Sequence, residues 1–492
     1  MKTKSLCLFL ANLVAFQCNQ SFGEEKMAHE MKSVNTYMAI PEKIDPAHII
    51  SMADLEISVA LASTLVSFDQ QRQVTASLAQ KWSILPPRKI QFQLRDNLTW
   101  SDSTPITAMD FKVSLERAKR DYPNDLKALF DVVKAIKAID TKILEIETKS
   151  DVEKSGILLK LTEPMYGLLA ISDGKVVSSK TSGPYFIRSV SKTEMTLEAN
   201  TNWFKYRTDM PQIVNARALP IGVDIAQRFQ SDNWVNLIST SSLLKKNIKE
   251  ELESSGVKFW QRSMDKVFSL YPSARFLENG GSDIIKYIGS QIQTNELVKG
   301  LTGLQRADQF FPRGYELWSS SPPQPDKDVK LRTPRKIDVL IPETGYATLI
   351  KENIQRAFEN IQGIKATVNT VKLSDLNESM KKGDYDILAT GLAVADPNFE
   401  GAMSFFFERS PAFITSSRAP YNFSAQVKTA RELPTSKDRA NAMRAIVIKA
   451  QESGHVLPLF HFSSMAMSKG GVDLSQIPNS DETVLFWKVR MK

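Results

Sequence analysis

Along residues 90–95 apolar and polar side chains alternate one for one: Ile90, Phe92 and Leu94 share one face, and Gln91, Gln93 and Arg95 the other. A period of two marks a half-buried strand, and Pro86-Pro87 supplies a turn ahead of it. Further on the period changes. Thr107-Ala108-Met109-Asp110 reads as a capping box with Asp110 in place of the usual Glu, and it opens a helix whose Phe111, Leu115 and Ala118 form one stripe. Leu61, Leu65 and Val66 also fall on one helical face, while the apolar runs 143–146 and 157–161 predict two further strands. Residues 44–148 are therefore expected to form an α+β block.

From residue 337 onward the order is different. An apolar strand at 337–341 precedes a helical stripe of Ile350, Ile354, Ala357 and Ile361; residues 366–371 alternate, 373–380 are again helical, and 385–388 are apolar. This is β-α-β-α-β, and connections of that length favour a parallel sheet with right-handed crossovers. Residues 319–334, with four prolines, read as the surface loop leading into it. No internal repeat or low-complexity tract interrupts the chain.

A length of 492 residues, 42% hydrophobic and 24% charged, suits two to four domains with more than one core. The N-terminus has its own grammar. Lys2 and Lys4 precede the apolar run 6–16, and Ser21-Phe22-Gly23 places small residues at −3 and −1 of a cleavage site before Glu24. The expectation is a secretory signal peptide cleaved after Gly23. Its apolar run is shorter than the roughly 20 residues a membrane span needs. Both cysteines, Cys7 and Cys18, lie in this leader, so the mature chain has no thiol. The alternative of a lipid anchor on Cys18 meets a bulky Gln17 where lipidation wants a small residue. The net charge of +8 falls to +6 without Lys2 and Lys4, too thin a surplus for a nucleic-acid footprint.

Enzymatic signatures are missing: there is no HExxH, GxSxG, phosphate loop or mature CxxC. Ser242-Leu243-Leu244-Lys245 with Ser231-Asp232-Asn233 imitates an acyl-enzyme pair, but in the wrong order, and a second S-x-x-K at Ser189 to Lys192 shows how easily the match arises. His455 and His461 flank the apolar Leu457-Pro458-Leu459-Phe460 with no further ligands at metal spacing, and Trp100, Trp203 and Trp260 are expected in cores.

The run Leu78-Ala79-Gln80-Lys81-Trp82, followed by Phe92-Gln93-Leu94-Arg95 and Trp100-Ser101-Asp102-Ser103-Thr104-Pro105-Ile106-Thr107-Ala108-Met109-Asp110, resembles a segment of the extracellular solute-binding proteins of the oligopeptide and dipeptide class, family 5, which serve ABC importers. Ile44-Asp45-Pro46, Ser182-Gly183-Pro184-Tyr185, Gly383-Asp384-Tyr385-Asp386 and Val456-Leu457-Pro458-Leu459 follow in the family's order. There are departures. Ser103 stands where the family has Gly, Tyr271-Pro272-Ser273 replaces an expected Asn and Pro, and Lys286 stands where Arg is common. The G-W-x-A-D-Y element is reduced to Gly391-Leu392-Ala393-Val394-Ala395-Asp396-Pro397, without either aromatic.

The resemblance implies an α/β, bilobed periplasmic-binding-protein-like (type II) fold with an additional inserted α+β domain. The layout would be a signal peptide at 1–23, domain I in the parts 24–55, 175–268 and 471–492, domain II as an insertion at 56–174, and domain III at 269–470. Two lobes would close on the solute by a hinge, with crossings expected near 269–273 and near 468–471, where Gly470-Gly471 permit large dihedral changes. The implied role is a periplasmic, monomeric binding protein that captures a peptide or peptide-like solute and delivers it to an inner-membrane ABC transporter permease. No enzymatic activity, cofactor, metal or nucleic-acid partner is expected. A metal chelate, an opine or a short saccharide are alternative solutes, and a degenerate member that senses without transporting is a third reading. The implied ligand-binding residues are Gly391, Ala393, Ala395 and Asp396, with Asp396 matching the aspartate that meets the peptide amine. Topology leads to the same place, because ligands of open α/β sheets bind outside the carboxyl ends of strands. Asp396 could equally cap a turn before Pro397.

Overall fold

The computed structural model describes residues 32–49, 52–69, 73–123, 126–149, 154–219, 225–240, 243–261, 266–311, 317–319, 322–323, 328–343, 347–393, 399–409, 421–433, 435–463, 465–478 and 484–492. The leader expected at 1–23 lies outside these residues. The chain divides into two compact units: Met1–Ile238 with Ser468–Ile477 and Val484–Lys492, and Ser239–Met467 with Pro478–Thr483.

In unit 1 the alternating run becomes the strand Lys89–Leu94, with Ile90, Phe92 and Leu94 buried. It pairs antiparallel with Ala79–Leu85 and Ile143–Thr148, and Val133–Ala138 completes a four-stranded sheet. The helix Ala108–Asp121 packs on it through Phe111, Leu115 and Ala118. Its cap forms as the sequence predicts: the Asp110 carboxylate accepts from the Thr107 N–H at 2.7 Å and from its hydroxyl at 2.8 Å. A second sheet carries Ser33–Tyr37 parallel to Ile213–Arg217 and to Leu237–Thr240, with Glu194–Ala199 and Tyr185–Val190 antiparallel at one side.

Two expectations in this unit give way. Residues 157–161 belong to the helix Lys154–Lys160 and the turn after it, not to a strand; Ile157, Leu158 and Leu161 are buried, a spacing that suits one helical face as well as a short apolar run. The helix Met52–Leu61 also stops before Leu65 and Val66. The carbonyls of Thr64 and Leu65 are taken by the Leu78 and Ala79 N–H groups at 3.1 and 2.9 Å, a tertiary pairing that no local pattern announces. Trp100 and Trp203 are buried here, and Trp260 in unit 2.

Unit 2 holds the β-α-β-α-β pattern. Arg335–Pro342 pairs parallel with Ile364–Val371 and with Ile387–Ala393, and the helices Ala347–Glu359 and Leu373–Lys382 are the connections. Lys266–Pro272 then pairs antiparallel with Ile387–Ala393 on one side and with Leu457–Phe462 on the other, and Leu304–Arg306 forms the far edge. Both faces of this sheet are covered. Phe268 and Leu270 enter one core with Ile337, Ile354 and Ile387, while Val267 and Tyr271 enter another with Phe310, Met403 and Phe406. Lys266–Pro272, which holds most of the expected crossing at 269–273, is buried along its length, and the chain leaves unit 1 at Ile238/Ser239. It returns at Met467/Ser468, just before Gly470 and Gly471, whose φ values are +65° and +85°.

Candidate functional site

Many residues that carry the resemblance hold segments of the units together. Asp45 is buried, and Arg117 donates to its two oxygens from Nη1 at 2.6 Å and Nη2 at 3.1 Å. The Tyr122 hydroxyl adds a bond at 2.8 Å and the Ala47 N–H one at 3.1 Å, so Ile44-Asp45-Pro46 is pinned to the helix Ala108–Asp121. Ser182 donates to the Leu168 carbonyl at 2.8 Å and accepts from the Ser63 N–H at 3.0 Å. A β-carbon on Gly183 would stand 2.5 Å from the Leu61 carbonyl carbon, which explains glycine there. Tyr185 donates to the Pro211 carbonyl at 3.0 Å, and burial pushes its phenol well above the ordinary tyrosine value.

The turn after Trp100 rests on main-chain bonds between Trp100 and Thr104 (2.9 Å) and between Ser103 and Trp100 (2.9 Å). It holds Ser103 at φ +66°, where glycine is unstrained, which accounts for the family's preference. Asn202 donates to the Ser103 hydroxyl at 3.0 Å. In unit 2, Gly383 caps the helix Leu373–Lys382 with φ +64°, and the Asp386 carboxylate accepts from the Asp338 N–H at 3.0 Å.

The residues that the resemblance implies for ligand binding lead to one end of the unit 2 sheet. Because Arg335–Pro342, Ile364–Val371 and Ile387–Ala393 are parallel, their carboxyl ends lie on one side. The antiparallel strand Lys266–Pro272 starts there, with Lys266 opposite both Ala393 and Phe462. Gly391 sits opposite Phe268, and Ala393 closes its strand. The structure thus brings Gly391 and Ala393 to this end. Ala395 and Asp396 lie outside the described residues.

Three buried polar residues near this end are not among the ligand-binding residues that the resemblance implies. Ser269 and Thr390 face each other across the paired strands, and His461 lies opposite Val267. A visible signal existed: each is a polar residue inside an otherwise apolar strand. His461 is within the strand Leu457–Phe462 and not at its end, and burial pushes its imidazole down to about 4. Lys266 is buried too, its ammonium 5.6 Å from the Phe462 ring centroid. His455 Nδ1 lies 2.8 Å from the Ser453 hydroxyl, yet both are enclosed, with Tyr421 and Phe423 rings edge-on to the imidazole at 5.2 Å. Among the described residues no group of three or more His, Cys, Asp or Glu side chains could hold a metal ion, and no helix is long and apolar enough to cross a membrane.

Comparison with known proteins fits this framework. The profile of the bacterial extracellular solute-binding proteins, family 5 middle region, matches residues 73–230. The periplasmic murein peptide-binding protein MppA of Escherichia coli is 30% identical over 91 residues, a stretch covering 18% of this chain and 17% of that protein. Its solved structure aligns with a TM-score of 0.74 at 14% identity, over 94% of this chain and 99% of that one. NikA from Brucella suis in complex with Fe(III)-EDTA gives 0.80 at 16% identity, over 94% and 100%. Haemophilus influenzae OppA in complex with the peptide RPPGFSPFR gives 0.73 at 14%, over 94% and 99%. The structural likenesses establish the α/β bilobed fold.

Proposed function

We propose that the chain is a family 5 extracellular solute-binding protein, a reading supported by the profile match and the MppA likeness, and that it captures a peptide or peptide-like solute and delivers it, without covalent chemistry, to the permease of an inner-membrane ABC importer. The observation that carries this reading is the run Gly391 to Ala393 at the shared carboxyl end of parallel strands, the place where open α/β sheets bind ligands. In this reading the protein works in the periplasm as a monomer, after cleavage at Gly23. It holds the solute between two lobes, with the three-part domain layout implied by the resemblance. Main-chain groups of Gly391, Ala393 and Ala395 bond an extended peptide, and Asp396 neutralises its α-amino group.

Calorimetry with a panel of short peptides tests it. Asp396→Asn should lose about 2–5 kcal/mol of binding, as when one partner of a buried charge pair is removed, with thermal stability of the free protein unchanged. Unchanged affinity beside a well-binding wild type reduces Asp396 to a turn cap. The second reading, a metal chelate, is favoured by the likeness to NikA, whose structure holds Fe(III)-EDTA. Mass spectrometry of solute released by denaturing the purified protein separates the two.

A further inference from the structure

We propose that Arg95 and Lys205, held over the Phe204 ring in unit 1 with the charge of Lys488 acting on Lys205, form a binding patch for a phosphate-bearing anion, a role separate from solute capture. The Arg95 guanidinium lies 5.0 Å and the Lys205 ammonium 5.2 Å from the same ring centroid. The guanidinium is firmly placed. Arg95 donates from Nε to the Ser77 carbonyl at 2.5 Å, and its own N–H bonds the Leu78 carbonyl at 3.0 Å. Phe204 packs against the core of the unit. The adjacent Trp203 stands edge-on to it at 5.7 Å and is fixed by Nε1 donating to Ser63 at 3.1 Å and by Trp487 at 5.9 Å.

Several surface cations of this unit have carboxylate partners: Lys89 has Glu145 at 2.9 Å, Lys180 has Asp102 at 3.0 Å, and Arg217 has Glu194 at 3.1 Å. Among the described residues, Arg95 and Lys205 meet no carboxylate at ion-pair distance. Desolvation first, then the charges of Arg95 and Lys488, hold the Lys205 ammonium below the ordinary lysine value. Like charges held together on a rigid ring repel, and an anion among them relieves that repulsion with little ordering left to do. Two cations over one ring match a group bearing more than one negative charge, and a guanidinium with an ammonium supplies the donors phosphate oxygens accept. An aromatic ring among cations is also the mixture that settles at lipid headgroups, so free phosphate and an anionic headgroup share this chemistry.

The test follows the Lys205 side chain by NMR in the full mature chain while inorganic phosphate replaces chloride at constant ionic strength. In parallel, the protein is sedimented with phosphatidylglycerol or phosphatidylcholine vesicles. Binding should be saturable, raise the Lys205 pKa, and weaken about fivefold in Lys205→Gln, the worth of one cation at an anionic surface. Lys205→Arg and the control Lys180→Gln should bind like wild type. A response to phosphate without vesicle binding assigns a soluble anion, and retention on phosphatidylglycerol that Lys205→Gln weakens assigns a membrane surface. The proposal is overturned by no saturable response in either arm, or by equal loss in Lys180→Gln. Thermal melts of each variant confirm that it folds.

Discussion

Two buried polar clusters, one in each unit, treat the same physical problem in opposite ways. In unit 1 Asp45 lies beneath the surface with Arg117, Tyr122 and the Ala47 N–H all bonded to its carboxylate. Only the Nε of Arg117 within that cluster is left without a bond. In unit 2 the central sheet buries the Ser269 hydroxyl with no hydrogen-bond partner and encloses the His461 imidazole beside the main chain of Lys266 and Gln309. A satisfied buried pair fixes the geometry of the segment that carries it. An unsatisfied buried group costs about 1–3 kcal/mol and fixes nothing. Unit 1 therefore uses its buried charge as a latch between Ile44-Asp45-Pro46 and the helix Ala108–Asp121, whereas unit 2 carries a penalty beside the strand end proposed to meet solute.

The largest effect should come from the latch. Arg117→Leu leaves the Asp45 carboxylate buried and unpaired and should lower stability by about 3–5 kcal/mol in a denaturant titration. Adding Asp45→Leu should recover much of that loss, since replacing both partners removes the stranded charge. A single variant as stable as wild type would mean the pair contributes no latch.

Unit 2 should answer to pH. His461 has an ordinary value of 6.5 and a folded value of about 4, lowered by burial and only partly offset by a hydrogen bond with the Lys266 main chain and by the Asp308 charge. The unfolded chain then binds a proton that the folded chain refuses. Stability should be level above pH 6.5, fall as pH drops toward 4, and lose about 3 kcal/mol in total from this group. His461→Phe should flatten that part of the profile, and a wild type whose stability does not change between pH 6.5 and 4 would contradict the burial argument.

The smallest effect concerns Ser103. Alanine and glycine there both lose the bond from Asn202, but only alanine keeps a β-carbon at φ +66°. Ser103→Gly should therefore exceed Ser103→Ala in stability by about 1 kcal/mol, read from thermal melts. Equal stabilities would mean the turn relaxes around the side chain.

Wherever a stretch was long enough to show its period, the sequence announced the element. The alternation at 90–95, the box at Thr107 to Asp110 and the whole β-α-β-α-β run after residue 337 became the elements they predicted. Short apolar runs such as 157–161 did not, because a few residues fit a helical face and a strand equally. The quoted motifs were legible as a family pattern, yet their purpose was not. Gly183 is explained by a helix end that passes within contact distance of it, and Asp45 by an arginine 72 residues away.

By itself, then, the sequence determined local periodicity, caps, turns and a family framework, since these depend on neighbours a few residues apart along the chain. Tertiary structure decided where the helix Met52–Leu61 stops, which strand forms the middle of the unit 2 sheet, and that a histidine is buried there. Those outcomes depend on which distant backbone groups compete for the same hydrogen bonds and the same dry space, and that competition has no trace in the order of residues.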